Sequence, residues 1–178
     1  MKKSVLAVLL SLLMLLSVFA LCACSEPAEP SSAPSSEQSS EPAPAPLPLL
    51  EVDVAAASEQ IYQSVTFADM MSAAESDTVL RIFGLDAASV TRAAGYISTG
   101  ATAEELFVFE AASEETVAAV KAAIDARLAS QLDGYTDYGP AEVPKIQNAT
   151  VSVAQKYVFM VVCDKPAEAT AAIAAIVG

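Results

Sequence analysis

The sequence predicts an α+β fold for residues 52–178, in which an antiparallel sheet is covered by helices on one face. Three observations support this prediction. Strand-like apolar runs occur in two pairs, and each pair is joined by a connection short enough for a hairpin. An amphipathic helical segment follows each pair, so the order is β-β-α-β-β-α. One or two further helices are predicted before the first strand.

The N-terminal part of this domain has helical periodicity. In residues 54–65 the apolar residues Val54, Ala57, Ile61 and Val65 recur at helical spacing. A second helix is predicted from Asp77 to Phe83, because Gly84 can end it in a left-handed cap. The segment between the two helices is predicted to form an apolar connection or another helical turn.

The first predicted hairpin joins strands at residues 91–98 and 104–110 through a loop at residues 99–102. The second of these strands has large apolar residues on both faces, with Leu106 on one and Phe107 on the other. We therefore expect both of its faces to be covered in part.

The clearest helix begins after Ser113, and Gly134 is expected to end it. Its apolar stripe is formed by Val117, Val120, Ile124, Leu128 and Leu132. Residues 135–145 are predicted to form a loop. Two strands follow, from Ile146 to Val153 and from Lys156 to Cys163, and the second is expected to be central because it is the most apolar. A last helix is predicted to open at Pro166.

The N-terminus has the pattern of a secretory signal. A basic start at residues 1–3 is followed by an apolar run from Val5 to Leu21, and the small residue Ala23 precedes Cys24. This pattern resembles the lipobox of bacterial lipoproteins, and it predicts a signal peptide at residues 1–23. The alternative is a transmembrane helix, but the run is slightly short and lacks basic residues on its C-terminal side before Arg81.

Cys24 is the predicted lipidation site. Cys22 is the competing candidate, but the large residue Leu21 precedes it where a lipobox has a small one. Cys22 is therefore expected to leave with the signal, which leaves Cys163 as one free thiol and excludes an internal disulfide. Its apolar strand context predicts a buried, unreactive thiol.

The residues after Cys24 predict a disordered tether that extends to residue 51. Residues 25–50 contain seven Pro, seven Ser and four Glu, with no aromatic or β-branched residue. Such a segment cannot bury enough apolar surface to offset its ordering entropy. The predicted location is the extracytoplasmic side of the cell membrane, with the lipid anchor as the membrane contact.

The charge of residues 52–178 limits the choice of partners. This segment has 17 acidic and 7 basic residues. A surplus of acidic side chains argues against nucleic acid, because binding to phosphates depends on Lys and Arg.

The residue types give little support to catalysis. The chain has no histidine, the commonest general base and zinc ligand. Glu104 and Glu105 are adjacent in a strand, so they point to opposite faces and cannot act as a catalytic pair. Asp133 and Asp137 have only a faint similarity to a calcium loop. No metal site and no cofactor are predicted.

Tyr135, Asp137 and Tyr138 form the candidate contact loop. Tyrosines on a loop suit recognition of a glycan or a protein, because each combines a rigid apolar ring with a polar tip. The alternative is that they pack over the end of the preceding helix.

Several segments together resemble the domain-of-unknown-function 4358 family. They are GATAEEL at residues 100–106 followed by Val108 and Phe109, the helix at 121–131, the loop at 138–144, and YVFMVVCD at 157–164. The resemblance covers about residues 55–177. It implies small secreted lipoproteins of Gram-positive anaerobes with no assigned activity, and it supplies no functional residues.

Three hypotheses follow for the function. The favoured one is a non-catalytic binding or interaction module of the cell envelope, with an envelope protein or glycan as its partner. The second is a carboxylate-dependent hydrolase of glycan or peptidoglycan, which needs two carboxylates roughly 5 to 9.5 Å apart in a cleft. A solute-binding component of a transporter is disfavoured, because such proteins usually have two lobes and a longer chain.

Overall fold

The computed structural model describes residues 49–178. The helices of this part are α1 (Val54–Ser64), α2 (Ser76–Phe83), α3 (Val117–Tyr138), α4 (Val143–Gln147) and α5 (Pro166–Val177), and a 3-10 turn at Glu114–Thr116 leads into α3. The strands are β1 (Ser72–Ala74), β2 (Val90–Ile97), β3 (Glu105–Ala111), β4 (Thr150–Ala154) and β5 (Tyr157–Val162). The predicted signal at residues 1–23, the lipidation site Cys24 and most of the tether lie outside the described residues.

The five strands form one antiparallel sheet in the order β1-β2-β3-β5-β4. The predicted α+β class and its two antiparallel hairpins are therefore confirmed. β3 is the middle strand, and β5 lies between β3 and β4, so the most apolar strand is internal as expected. In the register of the β3–β5 pair, Glu105 is opposite Val162 and Glu110 is opposite Tyr157.

Helices cover both faces of the sheet, so the prediction of a cover on one face is wrong. On one face α1 and α5 pack against Leu106 and Val108, together with Tyr157, Phe159 and Val161. On the other face α2, α3 and α4 pack against Phe107 and Phe109, together with Val158, Met160 and Val162. The physical reason is that every residue of β3 and of β5 is buried, which requires an apolar layer on each side.

The two predicted N-terminal helices are confirmed. The side chain of Asp53 caps α1 by accepting hydrogen bonds from the backbone N–H groups of Ala55 and Ala56. Gly84 ends α2 with a φ of 63°, in the left-handed region that favours glycine.

Three boundaries differ from the prediction. The helix expected to stop at Gly134 continues to Tyr138 and ends at Gly139. The strand expected from Ile146 begins at Thr150, because residues 143–147 form α4. Three residues, Ser72–Ala74, pair with β2 as an edge strand where a connection was expected.

Different segments of the chain pack at the two ends of the sheet. We call one of them the entry end, because the described chain begins there. The backbone N–H of Leu50 donates a hydrogen bond of 2.9 Å to the side chain of Gln155, in the turn between β4 and β5. The hairpin end is formed by the loop between β2 and β3. α3 has 22 residues and is about 33 Å long, whereas the seven residues of β3 span only about 24 Å. α3 therefore extends beyond the end of β3, and its last turns lie beside this loop.

Candidate functional site

A cleft with a volume of about 480 Å3 lies between α3 and the loop that joins β2 to β3. We call it the hairpin cleft. Its sheet side is lined by Ile97, Ser98, Gly100, Thr102 and Glu105, and its helix side by Arg127, Ser130, Gln131, Gly134, Tyr135 and Tyr138. This volume is within the range of small-molecule sites.

The helix side of the cleft is one continuous helical face. Each of its residues has another of the set three or four positions away, which is the spacing of neighbours on one side of a helix. Earlier on α3 the buried positions are apolar, at Val120 and Ile124. The cleft-lining residues from Arg127 onward are polar, small or aromatic, while Leu128 and Leu132 on the adjacent face of α3 still pack against the core.

A buried ion pair lies at the base of the cleft. The guanidinium of Arg127 donates two hydrogen bonds to the carboxylate of Glu105, one of them from Nε to Oε2 at 3.2 Å. The side chain of Glu105 is 3% exposed and that of Arg127 is 30% exposed. Burial raises the pKa of Glu105 above its usual value, while Arg127 acts to lower it.

The predicted contact loop is helical, because α3 continues through Tyr135, Asp137 and Tyr138. The hydroxyl of Tyr135 donates a hydrogen bond of 2.6 Å to the carbonyl oxygen of Thr102, so this ring packs against the loop. Burial raises the pKa of Tyr135 above its usual value. Tyr138 is 78% exposed and its ring lies 6.2 Å from that of Tyr135. Both tyrosines line the cleft, whereas Asp137 is exposed and does not.

Two polar side chains of the cleft form no hydrogen bond within the described residues. The Oε1 atom of Gln131 is buried without a partner, and the whole residue is 8% exposed. Ser130, one position earlier on α3, is exposed, and its hydroxyl has no protein partner in this part of the chain. A buried polar atom without a partner costs free energy, and a rotation of the Gln131 side chain, which lines the cleft, would bring this oxygen within reach of a ligand.

A second polar cluster lies nearby, and we call it the Lys145 cluster. The amine of Lys145 is 3.5 Å from Glu104, 3.1 Å from Glu142 and 3.3 Å from Asp164. Glu104 also accepts hydrogen bonds of 2.9 to 3.0 Å from the backbone N–H groups of Ala68 and Asp69. The cluster therefore holds α4, the start of β3 and the connection after α1 together.

Three carboxylates surround the single ammonium group of Lys145. Burial acts to lower the pKa of Lys145, but the hydrogen bond with Glu142, the charge of Glu104 and the hydrogen bond with Asp164 raise it above the usual value. Lys145 is only 7% exposed, so its charge is neutralised within the protein. This arrangement holds Lys145 and Glu104 in contacts within the protein and stabilises the fold.

Cys163 lies beside this cluster at the end of β5. It is 2% exposed, which confirms the predicted burial, and burial raises the pKa of its thiol. Within residues 49–178, no group of three or more metal-ligating side chains is placed to hold a metal ion. None of the helices in this range is both long and apolar enough to cross a membrane.

A family model described as a domain of unknown function (DUF4358) matches residues 63–163. The chain belongs to the DUF4358 family. The resemblance noted from the sequence is thereby confirmed. No curated protein and no solved structure gives a significant match to the chain.

In this DUF4358 domain, the matched segment contains all five strands and both sides of the hairpin cleft. Sequence reasoning identified Tyr135 and Tyr138 but missed Arg127, Ser130 and Gln131. A signal was present, because these three residues continue the helical face of Val120 and Ile124 with polar side chains. Polar side chains that continue an apolar helical face indicate either that this part of the face is exposed to solvent or that it lines a binding site. The burial of Gln131 favours a binding site.

Proposed function

We propose that this protein is a lipid-anchored, extracytoplasmic binding module of the cell envelope, and that the hairpin cleft is its contact site. Cys24 is the proposed anchor. The observation that carries the binding role is the hairpin cleft itself, which combines two tyrosines, a buried ion pair and an unpaired buried amide in one concave surface.

The arrangement of the cleft favours binding over hydrolysis. A glycan hydrolase needs one carboxyl group as a proton donor and a second carboxylate as nucleophile or base. Among the residues that line this cleft, the carboxyl group is that of Glu105, and Arg127 already neutralises it. We therefore keep binding as the proposed function.

The anchor is tested by fractionating bacterial cells that express the full chain. The wild type should sediment with the membranes, and its mature N-terminus should carry lipid by intact mass. Cys24→Ala should appear in the soluble fraction or keep its signal peptide. Cys22→Ala is the matched control and should behave as the wild type. A mature wild-type chain without lipid would refute the anchor.

The contact site is tested with residues 25–178, which is the proposed mature chain without its lipidated cysteine. This chain should co-sediment with isolated envelope material. Tyr138→Ala should weaken co-sedimentation without changing stability, because this side chain is 78% exposed. Leu49→Ala removes a similarly exposed apolar side chain, 86% exposed, at the entry end and serves as the control. Equal effects of both variants would exclude the cleft as the contact site.

A further inference from the structure

The chemistry of the hairpin cleft also limits the class of its ligand, and this inference depends on the binding function proposed above. The first limit is charge. Glu105 and Arg127 neutralise each other at the base of the cleft, so it offers no unpaired charge to an ionic ligand. The surrounding domain has 17 acidic and 7 basic residues, and its field repels anions. A cation would need a free carboxylate in the cleft, and the one that lines it, Glu105, is already paired with Arg127, so a neutral ligand is favoured.

The second limit is hydrogen bonding. The buried Oε1 atom of Gln131 has no partner in the described part of the chain, and the exposed hydroxyl of Ser130 also lines the cleft from the preceding position of α3. An amide presents a donor at one end and an acceptor at the other, and a serine hydroxyl can do both. A ligand hydroxyl pairs with any of these, because it also donates and accepts. A purely apolar ligand would leave Gln131 unpaired.

The third limit is the aromatic surface at the mouth of the cleft. The hydroxyl bond to Thr102 fixes the ring of Tyr135, and the more exposed ring of Tyr138 stands at 66° to it. The face of an aromatic ring carries partial negative charge, which attracts the slightly positive C–H groups on the flat side of a sugar ring. The rings can thus contact the apolar side of a ligand whose edge carries hydroxyl groups.

We propose that the hairpin cleft binds a neutral saccharide segment of the envelope. The rings of Tyr135 and Tyr138 contact a sugar face, and the amide of Gln131 bonds a sugar hydroxyl. Charged saccharides and peptides are disfavoured by the balanced charge of the cleft.

Gly134 allows a direct test of this site. A Cβ atom at this position would meet no heavy atom within 4 Å, so a larger side chain enters the open cleft and leaves the core intact. Gly134→Leu should therefore block the cleft in a folded protein. Asp133→Leu places the same side chain at the adjacent exposed position and is the matched control.

The binding experiment uses residues 25–178 and calorimetric titration with tetrasaccharides. Three probes are neutral: the tetramer of N-acetylglucosamine, cellotetraose and maltotetraose. Two are charged: the tetramer of glucosamine and that of galacturonate. At least one neutral probe should bind in preference to both charged ones. Gly134→Leu should abolish this binding, and Gln131→Met should weaken it about five- to tenfold, as expected for one lost hydrogen bond.

Several outcomes would overturn the saccharide inference. They are no binding of any neutral probe at millimolar concentration, equal binding of the charged probes, or equal binding by Gly134→Leu. If the chain still co-sediments with envelope material in those cases, and protease treatment of that material removes the binding, the partner is a protein and only the saccharide class fails. Loss of all envelope binding would instead refute the function proposed above.

Discussion

Glu104 and Glu105 are consecutive in the chain and both are buried, yet they belong to regions built in different ways. Glu104 accepts hydrogen bonds from two backbone N–H groups and pairs with Lys145, which in turn pairs with two further carboxylates. Glu105 has Arg127 as its partner and lies in a cleft where Gln131 is unpaired. Polar groups that satisfy one another therefore stabilise a fold, whereas polar groups left partly unsatisfied are available to a ligand.

The largest effect is expected in the Lys145 cluster. Lys145→Met should lower the free energy of unfolding by about 3 to 5 kcal/mol, because it leaves Glu104 with a buried charge that has lost its partner. Urea unfolding measures this change. Lys165→Met is the control, since Lys165 pairs with Glu168 at the surface and such pairs contribute less than about 1 kcal/mol. If the two variants lose the same stability, the Lys145 cluster does not stabilise the fold.

A smaller loss is expected in the cleft. Arg127→Met should lower the free energy of unfolding by about 2 kcal/mol, through loss of charged hydrogen bonds to Glu105. The loss is smaller because Arg127 is 30% exposed, so water can reach Glu105 through the opened cleft. The same urea titration ranks the two variants. A larger loss of unfolding free energy in Arg127→Met than in Lys145→Met would show that the cleft contributes more to stability than the Lys145 cluster.

Gly134→Ala should stabilise the domain by about 0.5 to 1 kcal/mol. Glycine inside a helix is less favourable than alanine by about this amount, and the added methyl group meets open space. Thermal unfolding measures the gain. A lower midpoint than the wild type would show that the cleft closes on Gly134 in solution.

The smallest effect concerns pH. Burial raises the pKa of Glu105 above its usual value of 4.5, so the native state holds this proton more tightly than the unfolded state does. The contribution of Glu105 to stability is therefore complete below pH 4.5 and decreases as the pH rises through the raised pKa. Glu105→Gln removes this titration.

Relative to the wild type, the unfolding free energy of Glu105→Gln should increase as the pH rises from 4 to 7. Urea unfolding of both proteins across this range tests the sign. Parallel curves throughout the range would mean that Glu105 has the same pKa in the native and unfolded states.

Much of the fold could be predicted from local sequence. Gly84 ends α2 and Pro166 opens α5, because both residues act through their own backbone geometry. The two antiparallel hairpins followed from short connections between apolar runs. The cover on both faces was also signalled, by Leu106 and Phe107 pointing in opposite directions, but the β-β-α order suggested a single helical layer.

The cleft could be predicted only in part, because it depends on contacts between distant segments. Gly134 was expected to end α3, but no left-handed backbone occurs there, and Gly139 ends the helix instead. The bond from Tyr135 to Thr102 supports the last turns, and it joins residues 33 positions apart. Arg127 was missed for the same reason, because its partner Glu105 lies 22 positions away in the sequence.

The separation of the entry end from the hairpin end has a mechanical consequence. If the chain is held at a membrane through its N-terminal side and at a ligand through the cleft, tension passes along the strands. The hydrogen bonds between antiparallel strands lie perpendicular to the strands. A load along the strands is carried by many of these bonds in parallel, whereas a load across the sheet would open them one bond at a time. With the proposed anchor and the proposed ligand in place, the domain would act as a link that resists pulling along its strands.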